Sequence, residues 1–344
     1  MNTIVIKDTG DIQIAADIIR NGGLAAFPTE TVYGLGGNAL DPEASKKIYA
    51  AKGRPSDNPL IVHIADMDGL FQVARDIPET AQRLAERFWP GPLTMVLNKT
   101  DIVPVETTGG LDTVAVRMPS FPQARQLIKL AKVPVAAPSA NTSGRPSPTT
   151  AQHVIDDLGG KIEAVIDGGP VAIGLESTIV DLTQEVPTLL RPGGITLEEL
   201  RDCLGWVDVD PAILGIMADG VKPKAPGMKY RHYAPKAEMT IVTGDAVKVQ
   251  FKINYLAARD DVVGKKVGII ATDETVGAYY NGVIKSIGSR KNEETVAHNL
   301  FALLREFDDI GVEVIYAEGF EDSGIGRAIM NRMRKAAGNR VIEV

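Results

Sequence analysis

The chain has 344 residues, a length that exceeds one ordinary domain and suits two. Hydrophobic residues make up 44% of it and charged residues 24%, so it can bury a core and is not a disordered protein. A single cysteine, Cys203, excludes a disulfide framework, a cysteine-rich zinc module and an iron–sulfur cluster.

The charge of the chain is unevenly distributed. A net charge of −7 argues against a protein that coats nucleic acid in general. Residues 1–210 contain 18 Lys and Arg against 27 Asp and Glu, whereas residues 211–344 contain 19 against 17, which supports two domains. The sequence has no apolar run of the roughly 18–20 residues that a membrane span needs and no signal-peptide pattern at its start, so we expect a cytoplasmic protein with no membrane contact.

The first part of the sequence alternates short apolar strands with helices. Apolar runs predict strands at Leu24–Phe27, Leu60–Ile64, Leu93–Leu97, Thr113–Met118, Val135–Ala137, Ala164–Ile166 and Ser177–Asp181. Helical periodicity and start signals predict helices at Pro42–Ala51, Pro78–Phe88, Pro122–Ala131, Thr149–Leu158 and Thr196–Cys203. Because the connections between strands are unequal, the pattern favours a twisted, mixed α/β sheet.

The pattern stops between Asp219 and Glu238, where Pro and Gly mark a linker. A second alternation follows, which predicts a small, mostly parallel α/β domain with helices on both faces. Its elements are strands at Met239–Val242, Lys266–Ile270 and Val312–Ala317 and helices at Asn292–Phe307 and Ile325–Ala337. We therefore expect a first domain at 1–210, a linker at 211–238 and a second domain at 239–344.

The segment Pro28–Gly37 follows a predicted strand and is rich in Gly and Thr. Glycines allow the backbone to approach a ligand closely, and Thr hydroxyls and amides bind anions. An ordinary Gly-rich connection explains the same composition. The segment matches neither a P-loop nor a GxGxxG fingerprint, so neither of those phosphate-binding mechanisms applies.

A basic turn follows the helix at Pro42–Ala51. Lys52 and Arg54 lie two residues apart in a segment stiffened by Pro55 and Pro59. Such cations can converge on a phosphate or carboxylate, and Arg binds these groups with two hydrogen bonds. The ordinary alternative is a helix that ends with basic residues because its dipole favours them.

A third cluster, Ala136–Ser147, follows a predicted strand with small hydroxyl and amide residues. Ser139 has no Gly-x-Ser-x-Gly frame, which disfavours a hydrolase with a catalytic triad. The cluster suits a polar cradle, although a Ser- and Pro-rich surface loop has the same composition. Two loops add Arg117 and Arg191, and Arg117 equally suits an ion pair with a surface carboxylate.

The four histidines do not indicate a metal site. His63 lies in a predicted strand on the same face as Ile61, where a histidine more often completes the packing than binds a ligand. His153, His232 and His298 lie far apart and show no metal-ligand spacing, so a zinc enzyme is disfavoured.

The combination of these segments resembles the YrdC-like domain of the threonylcarbamoyl-AMP synthase family. The shared features are Lys52-x-Arg54, Ser139-x-Asn141 and the preceding Pro-Thr-Glu-Thr-Val-Tyr-Gly-Leu-Gly segment. The resemblance continues through Ser177–Asp181, Arg191–Gly194, the linker Pro226–Pro235 and Gly324–Arg332, in the order of the long, two-domain form. It covers nearly the whole chain and implies a YrdC-like mixed sheet followed by a Rossmann-like parallel domain.

The resemblance implies a nucleotidyltransferase of tRNA processing. Members of the family condense L-threonine, bicarbonate or CO2, and ATP into threonylcarbamoyl-adenylate and release pyrophosphate. A separate transferase complex then moves the threonylcarbamoyl group to an adenosine in tRNA, so the synthase step itself requires no tRNA. Mg²⁺ is expected to accompany the ATP phosphates, with no metal site made by the protein.

The resemblance also assigns site residues. The threonine-binding residues are Thr31, His63, Arg117, Ala137 and Ser177. The ATP-binding residues are Arg54, Asn58, Thr113, Ser139, Ser147, Arg191 and Tyr230. The catalytic residues are Lys52, Arg54, Ser139 and Asn141.

Two other functions remain open at this point. Single YrdC-like domains have a basic concave surface suited to structured RNA, although the acidic balance of residues 1–210 speaks against that role. A related domain also occurs in carbamoyl-transfer enzymes of hydrogenase maturation, but those have zinc-finger-like segments for which this chain lacks the cysteines.

The linker has an unusual composition for a spacer. Passive linkers contain Gly, Ser and charged residues, whereas this one contains Tyr230 and Tyr233 beside Lys229, Arg231 and His232. We therefore hypothesise that it is a lid over the bound nucleotide, in which Tyr230 contacts ATP and closure excludes water.

Overall fold

The computed structural model describes residues 2–7, 9–213, 225–226 and 232–344. It divides into two units, the first formed by Met1–Ser143 and Ser147–Lys229 and the second by Gly144–Pro146 and Tyr230–Val344. Since much of the linker lies outside the described residues, the boundaries at 210 and 239 stay a proposal. Among the described residues, no helix combines the length and the apolarity that crossing a membrane requires.

The first unit contains one mixed sheet of twelve strands within its described residues. The strands are β1 (Ile4–Ile6), β2 (Ala25–Phe27), β3 (Gly34–Asn38), β4 (Ile61–His63), β5 (Ala74–Arg75), β6 (Leu93–Lys99), β7 (Thr113–Arg117), β8 (Val135–Ala136), β9 (Ala164–Ile166), β10 (Thr178–Asp181), β11 (Thr188–Arg191) and β12 (Asp208–Val209). Their order is β1-β9-β2-β3-β8-β4-β7-β6-β10-β11-β12, with β5 paired to β6.

Helices cover this sheet and several begin at a clear cap. They are α1 (Ile12–Arg20), α2 (Pro42–Lys52), α3 (Met67–Val73), α4 (Glu79–Phe88), α5 (Pro122–Ala131), α6 (Ala151–Leu158) and α7 (Leu197–Leu204). The Asp41 carboxylate accepts the amide of Glu43 at the start of α2, and Gly53 ends that helix in the left-handed conformation. Lys52 is therefore fixed as the last residue of a helix.

The central strands alternate between two faces. Val62, Met95 and Val116 point into the main core beneath the helices. Ile61, Val96, Ala115 and Ile179 lie on the opposite face and form a smaller apolar cluster with Leu190 and Ala225. The same alternation places His63, Arg117 and Thr94 on this second face, at the edge where β4 and β7 end.

The second unit is a parallel sheet with helices on both faces. Its strands are β13 (Glu238–Thr243), β14 (Val267–Ala271), β15 (Val283–Ser286), β16 (Val314–Glu318) and β17 (Val341–Glu343), in the order β15-β14-β16-β13-β17. Its helices are α8 (Ala246–Val262), α9 (Glu293–Ile310) and α10 (Gly324–Ala336). Side chains of α8 pack on Val267 and Ile269, whereas Phe307 of α9 lies against Gly268 on the other face.

The expected fold class, a mixed α/β sheet followed by a smaller parallel α/β domain, is confirmed. The interpretation of Gly34–Gly37 as a loop is wrong, because these residues form most of β3 and pair with β2 and β8. A Cβ at Gly36 would lie 2.9 Å from both Phe27 and Val135. Glycine is present there because the neighbouring side chains fill the space, and not because the backbone turns.

Gly193 offers a test of how closely β10 and the segment after β11 are packed. A Cβ on Gly193 would lie 2.4 Å from the amide nitrogen of Thr178 and 2.5 Å from the carbonyl oxygen of Glu176. Since backbone atoms cannot move aside as a flexible side chain can, we expect Gly193→Ala to cost roughly 1–3 kcal/mol and to lower the Tm by several degrees. Gly277→Ala, with no atom within 4 Å of its new Cβ, is the matched control. Equal Tm values for the two variants in thermal unfolding would contradict this packing.

Candidate active site

The segment that precedes β3 connects the loops of the site. The amide of Ala140 donates to the carbonyl of Tyr33 and the amide of Leu35 donates to the carbonyl of Pro138, each at 2.8 Å. On its other side, the amide of Gly174 donates to the carbonyl of Thr31 at 3.1 Å. The segment therefore holds the Ser139 loop on one side and the loop before β10 on the other.

Lys52, Ser139 and Asn141 lie together. The ammonium of Lys52 is buried and donates to the carbonyl oxygens of Ser139 and Asn141, the latter at 2.6 Å, and to Asn141 Oδ1 at 3.4 Å. Ser139 Oγ donates to the same Oδ1 at 2.5 Å. These acceptors are neutral oxygen atoms, and together they fix the position of the Lys52 ammonium.

Arg54 and Asn58 form a second group in the turn after α2. Arg54 Nη2 donates to the carbonyl oxygens of Asn58 at 3.2 Å and Pro59 at 3.0 Å. The Asn58 side chain is 1% exposed, and its Oδ1 has no hydrogen-bond partner among the described residues. A buried acceptor without a donor is costly, which points to a ligand group at this position.

Arg117 forms a buried ion pair with Glu30. Its Nη2 lies 2.7 Å from Glu30 Oε1, and its Nη1 donates to Thr31 Oγ1 at 2.9 Å. Glu30 Oε2 accepts the amide of Ser120 at 3.1 Å. The carboxylate partner considered for Arg117 from the sequence is therefore buried and not at the surface, and one N–H remains on each terminal nitrogen of Arg117 for a further acceptor.

His63 lies beside Arg117 in the sheet. The two residues are register partners in the parallel pair β4–β7. Burial, reinforced by the Arg117 cation, lowers the pKa of His63 to about 3, so the imidazole is neutral at physiological pH. Its Nδ1 lies 3.2 Å from the carbonyl oxygen of Ile61, and its ring packs edge-on against Phe27.

Ser177 and Arg191 form a further buried group. Arg191 Nε and Nη2 bind the carbonyl oxygen and hydroxyl of Ser177 at 3.0 and 3.2 Å, and its Nη1 donates to the carbonyl of Pro226 at 3.1 Å. The Ser177 hydroxyl also lies 2.8 Å from that of Thr94, which pairs with Arg117 across β6 and β7. Thr94 thus connects the Arg191 group to the Arg117 group.

The remaining predicted residues occupy different positions. Ser147 Oγ donates to Glu176 Oε1 at 2.5 Å. The amide of Ala137 donates to the carbonyl oxygen of Ile61, which lies two residues before His63 in β4. Thr113 begins β7 on the face of Arg117, but four residues of strand, about 13 Å, separate the two. The structure does not bring Thr113 into the Arg117 group.

Tyr230 and residues 227–231 lie outside the described residues, so the ATP contact at Tyr230 and the lid stay predictions. Tyr233, just beyond them, packs its ring on Phe301, with a centroid distance of 5.0 Å.

Glu30, Thr94 and Glu176 contact predicted site residues, and sequence reasoning missed them. Glu30 lies inside the Pro28–Gly37 segment that the sequence indicated, but the sequence does not show that Glu30 pairs with Arg117. Thr94 adjoins Ser177 and Arg117 because β6 lies between β7 and β10 in the sheet, whereas Glu176 adjoins Ser147 through a hydrogen bond between their side chains.

The groups described above place Lys52, Arg54, Arg117 and Arg191 each beside hydroxyl, amide or carbonyl groups. Such a set binds anions and stabilises developing negative charge. Within the described residues, no group of three or more His, Cys, Asp or Glu is arranged to hold a metal ion.

Two family models match the chain. Residues 17–193 match the model described as telomere recombination, the Sua5/YciO/YrdC family. Residues 195–338 match the model of the threonylcarbamoyl-AMP synthase C-terminal domain. The chain belongs to the threonylcarbamoyl-AMP synthase family. The resemblance seen in the sequence motifs is confirmed over both domains.

Relatives in the threonylcarbamoyl-AMP synthase family match over nearly the full length. The protein of that name from Pyrococcus abyssi is 55% identical, with 97% of this chain and 96% of the relative covered. The Bacillus subtilis protein of the same name is 50% identical, with 97% and 95% covered.

A solved structure has the same fold. The crystal structure of Pyrococcus abyssi Sua5 in complex with L-threonine superposes with a TM-score of 0.94 at 52% identity, and all of both chains is covered. These comparisons favour an enzyme of the threonylcarbamoyl-AMP synthase family over an RNA-binding module or a carbamoyl-transfer enzyme.

The burial of His63 predicts a pH dependence. An unfolded histidine has a pKa near 6.5, so between about pH 6.5 and 3 the unfolded chain binds a proton that folded His63 does not. The stability that neutral His63 contributes is complete above about pH 6.5 and is lost as the pH falls towards 3, by up to about 1.4 kcal/mol per pH unit. We expect ring ¹⁵N spectra to show no titration of His63 from pH 8 to 5, and His63→Gln to lose less stability than the parent chain between pH 7 and 5. A His63 titration midpoint between pH 5 and 7 would contradict this environment.

Proposed function

We propose that the chain condenses L-threonine, CO2 or bicarbonate, and ATP into threonylcarbamoyl-adenylate and pyrophosphate. The observation that supports this most directly is the buried ammonium of Lys52, which neutral oxygens of Ser139 and Asn141 hold in place. A positive charge fixed in this way suits a reaction in which every group near the reacting atom is or becomes an anion.

The threonine end of the site is built around Arg117. Its two remaining N–H groups bind the amino-acid carboxylate, and Thr31 and Glu30 fix the plane of the guanidinium. Neutral His63 adds no charge that would repel the substrate ammonium. Ser177 and Ala137 complete the pocket, with Ser177 held by Thr94 and Arg191.

The ATP end lies along the turn after α2 and the loops beside β10. Arg54 and Arg191 supply cations for the phosphates, and Asn58 Oδ1 accepts a donor of the nucleotide. Ser139 and Ser147 offer hydroxyls, and Thr113 lies far enough along β7 to reach a different part of a molecule as long as ATP. Mg²⁺ would be held by the triphosphate oxygens, which are hard ligands that this cation prefers, and would neutralise part of their charge.

The proposed reaction depends on how the substrates are positioned and requires no nucleophilic side chain of the protein. The threonine amine attacks CO2 and, after loss of a proton, gives a carbamate. A carbamate oxygen then attacks the α-phosphorus of ATP, and the bond to pyrophosphate breaks. Lys52 and Arg54 stabilise the charge that develops on phosphate oxygens, while Ser139 and Asn141 hold Lys52 in line with them.

The product is a mixed anhydride that water destroys, so a partner must receive it. We propose that a tRNA threonylcarbamoyl-transferase complex consumes it in the cytoplasm and that tRNA takes no part in the synthase step.

Omission of single substrates tests the proposed reaction. We expect pyrophosphate release from ATP to require both L-threonine and bicarbonate, because the carbamate is the nucleophile. L-Serine, which lacks the threonine methyl group, is the matched control substrate. Equal pyrophosphate release with serine, or with no amino acid, would overturn the substrate assignment.

Removal of the two cations after α2 tests their role. Lys52→Met keeps the aliphatic stem but removes the ammonium, and Arg54→Ala removes the guanidinium. Each should reduce turnover at least about 100-fold, the scale expected for a lost stabiliser of the transition state. Lys46→Met is the matched control, since Lys46 lies on the same helix but at the surface, paired with Glu43. If Lys52→Met lowered the Tm and left the turnover of the folded fraction unchanged, Lys52 would be structural and not catalytic.

A further inference from the structure

The Ser139 loop, residues 139–147, passes through both units of the chain. Its two ends belong to the first unit, whereas its tip, Gly144–Pro146, belongs to the second. Asn141 lies three residues before the tip and Ser147 directly follows it. The conformation of the tip therefore acts on both of these proposed site residues through the main chain.

The tip makes two main-chain hydrogen bonds within the second unit. The carbonyl oxygen of Gly144 accepts the amide of Ala234 at 2.8 Å. The carbonyl oxygen of Pro146 accepts Nη2 of Arg305, a residue of α9 that is 3% exposed, at 2.6 Å. Since Pro146 is itself buried, loss of this bond would leave a buried acceptor without its donor, which is costly.

Asp308 lies one turn after Arg305 on α9 and contacts the segment that enters the second unit. Its Oδ1 accepts the amide of Lys236 at 2.7 Å, and no described residue donates a hydrogen bond to its Oδ2. Burial raises the pKa of this carboxyl group, and the amide and ammonium of Lys236 and the cations of Arg145 and Arg305 partly offset the effect. Arg145 of the tip is thus attracted to the same helix by charge.

The segment of residues 233–236 also packs on α9. The ring of Tyr233 lies 5.0 Å from that of Phe301, and the guanidinium of Arg332 lies 5.7 Å from the Tyr233 ring. Phe301, Arg305 and Asp308 are spaced four and three residues apart, so they share one face of the helix. That face therefore holds both this segment and the tip of the Ser139 loop.

We propose that Arg305 is a positioning residue for the ATP end of the site. It acts through the backbone of the loop, because its bond to the Pro146 carbonyl fixes the tip and thereby the positions of Ser147 and Asn141. The threonine end is fixed separately by the Arg117 ion pair, so Arg305 should affect ATP and not threonine. The inference rests on the proposed function, from which it takes the roles of Ser147 and Asn141.

Removal of the guanidinium tests this role in the full-length chain. Arg305→Met keeps the aliphatic stem, and calorimetric titration gives the dissociation constants of ATP and L-threonine. We expect ATP to bind at least about tenfold more weakly, the loss for one misplaced hydrogen bond to a charged group, and threonine to bind as before. Arg305→Lys, which keeps a cation and a donor, should lose less. Lys285→Met, which removes a cation from an exposed ion pair with Glu306 on α9, is the matched control and should leave both constants unchanged.

A second variant changes the tip without altering α9. Gly144 has a φ of +91° and no atom within 4 Å of an added Cβ, so Gly144→Ala strains only the backbone. We expect the tip to shift, ATP binding to weaken by about the same factor, and peptides over residues 140–147 to exchange amide hydrogens faster. Gly264→Ala, with a φ of +83° and equally open surroundings, is the control for the strain itself.

The outcomes separate the alternatives. Unchanged ATP binding in Arg305→Met, or equal weakening of ATP and threonine, overturns the role of Arg305. If Arg305→Met does not fold, Gly144→Ala decides, and ATP binding equal to that of Gly264→Ala overturns the proposal. Pyrophosphate release by the parent chain is measured alongside, because its absence overturns the proposed function, whereas normal release with unchanged ATP binding in the variants overturns this inference alone.

Discussion

The buried ion pair between Arg117 and Glu30 is the constraint on which the site depends. Two charges withdrawn from water are tolerated only when each satisfies the other and their remaining hydrogen bonds are made. Here the amide of Ser120 and the hydroxyl of Thr31 complete the arrangement. The segment before β3 therefore has one low-energy position against β7, because any displacement would leave a buried charge without its partner.

Backbone hydrogen bonds connect this segment to the other end of the site. The segment that contains Glu30 also provides Tyr33, whose carbonyl accepts the amide of Ala140. Ala140 lies between Ser139 and Asn141, the two residues that hold the Lys52 ammonium. The threonine and phosphate ends of the proposed site are thus connected by main-chain hydrogen bonds, which are stiffer than contacts between long side chains.

Much of the fold was predictable from the sequence, because apolar residues recur at regular spacings in buried strands and in helices that have one buried face. Helix α5 was predicted with its exact bounds, and α2 within one residue. Helix α8 was missed because Val247, Phe251 and Tyr255 lie on its exposed side, so apolar residues surround the helix and the one-sided pattern disappears.

The site was less predictable than the fold. Motif resemblance indicated Lys52, Ser139 and Asn141, which the structure brings together. The partnership of Arg117 with Glu30 joins positions 87 residues apart and depends on the order of strands, which periodicity does not encode. The neutral state of His63 likewise follows from burial beside Arg117 and not from its sequence neighbours.

The location of Lys52 at the very end of α2 restricts how this protein can vary. A loop absorbs an inserted residue by bulging, but an insertion within α2 would turn everything after it by about 100° around the helix axis. The ammonium would then leave its acceptors at Ser139 and Asn141, although every residue of the site was still present. Insertions and deletions between Asp41 and Gly53 are therefore tolerated only if the start of the helix shifts to compensate.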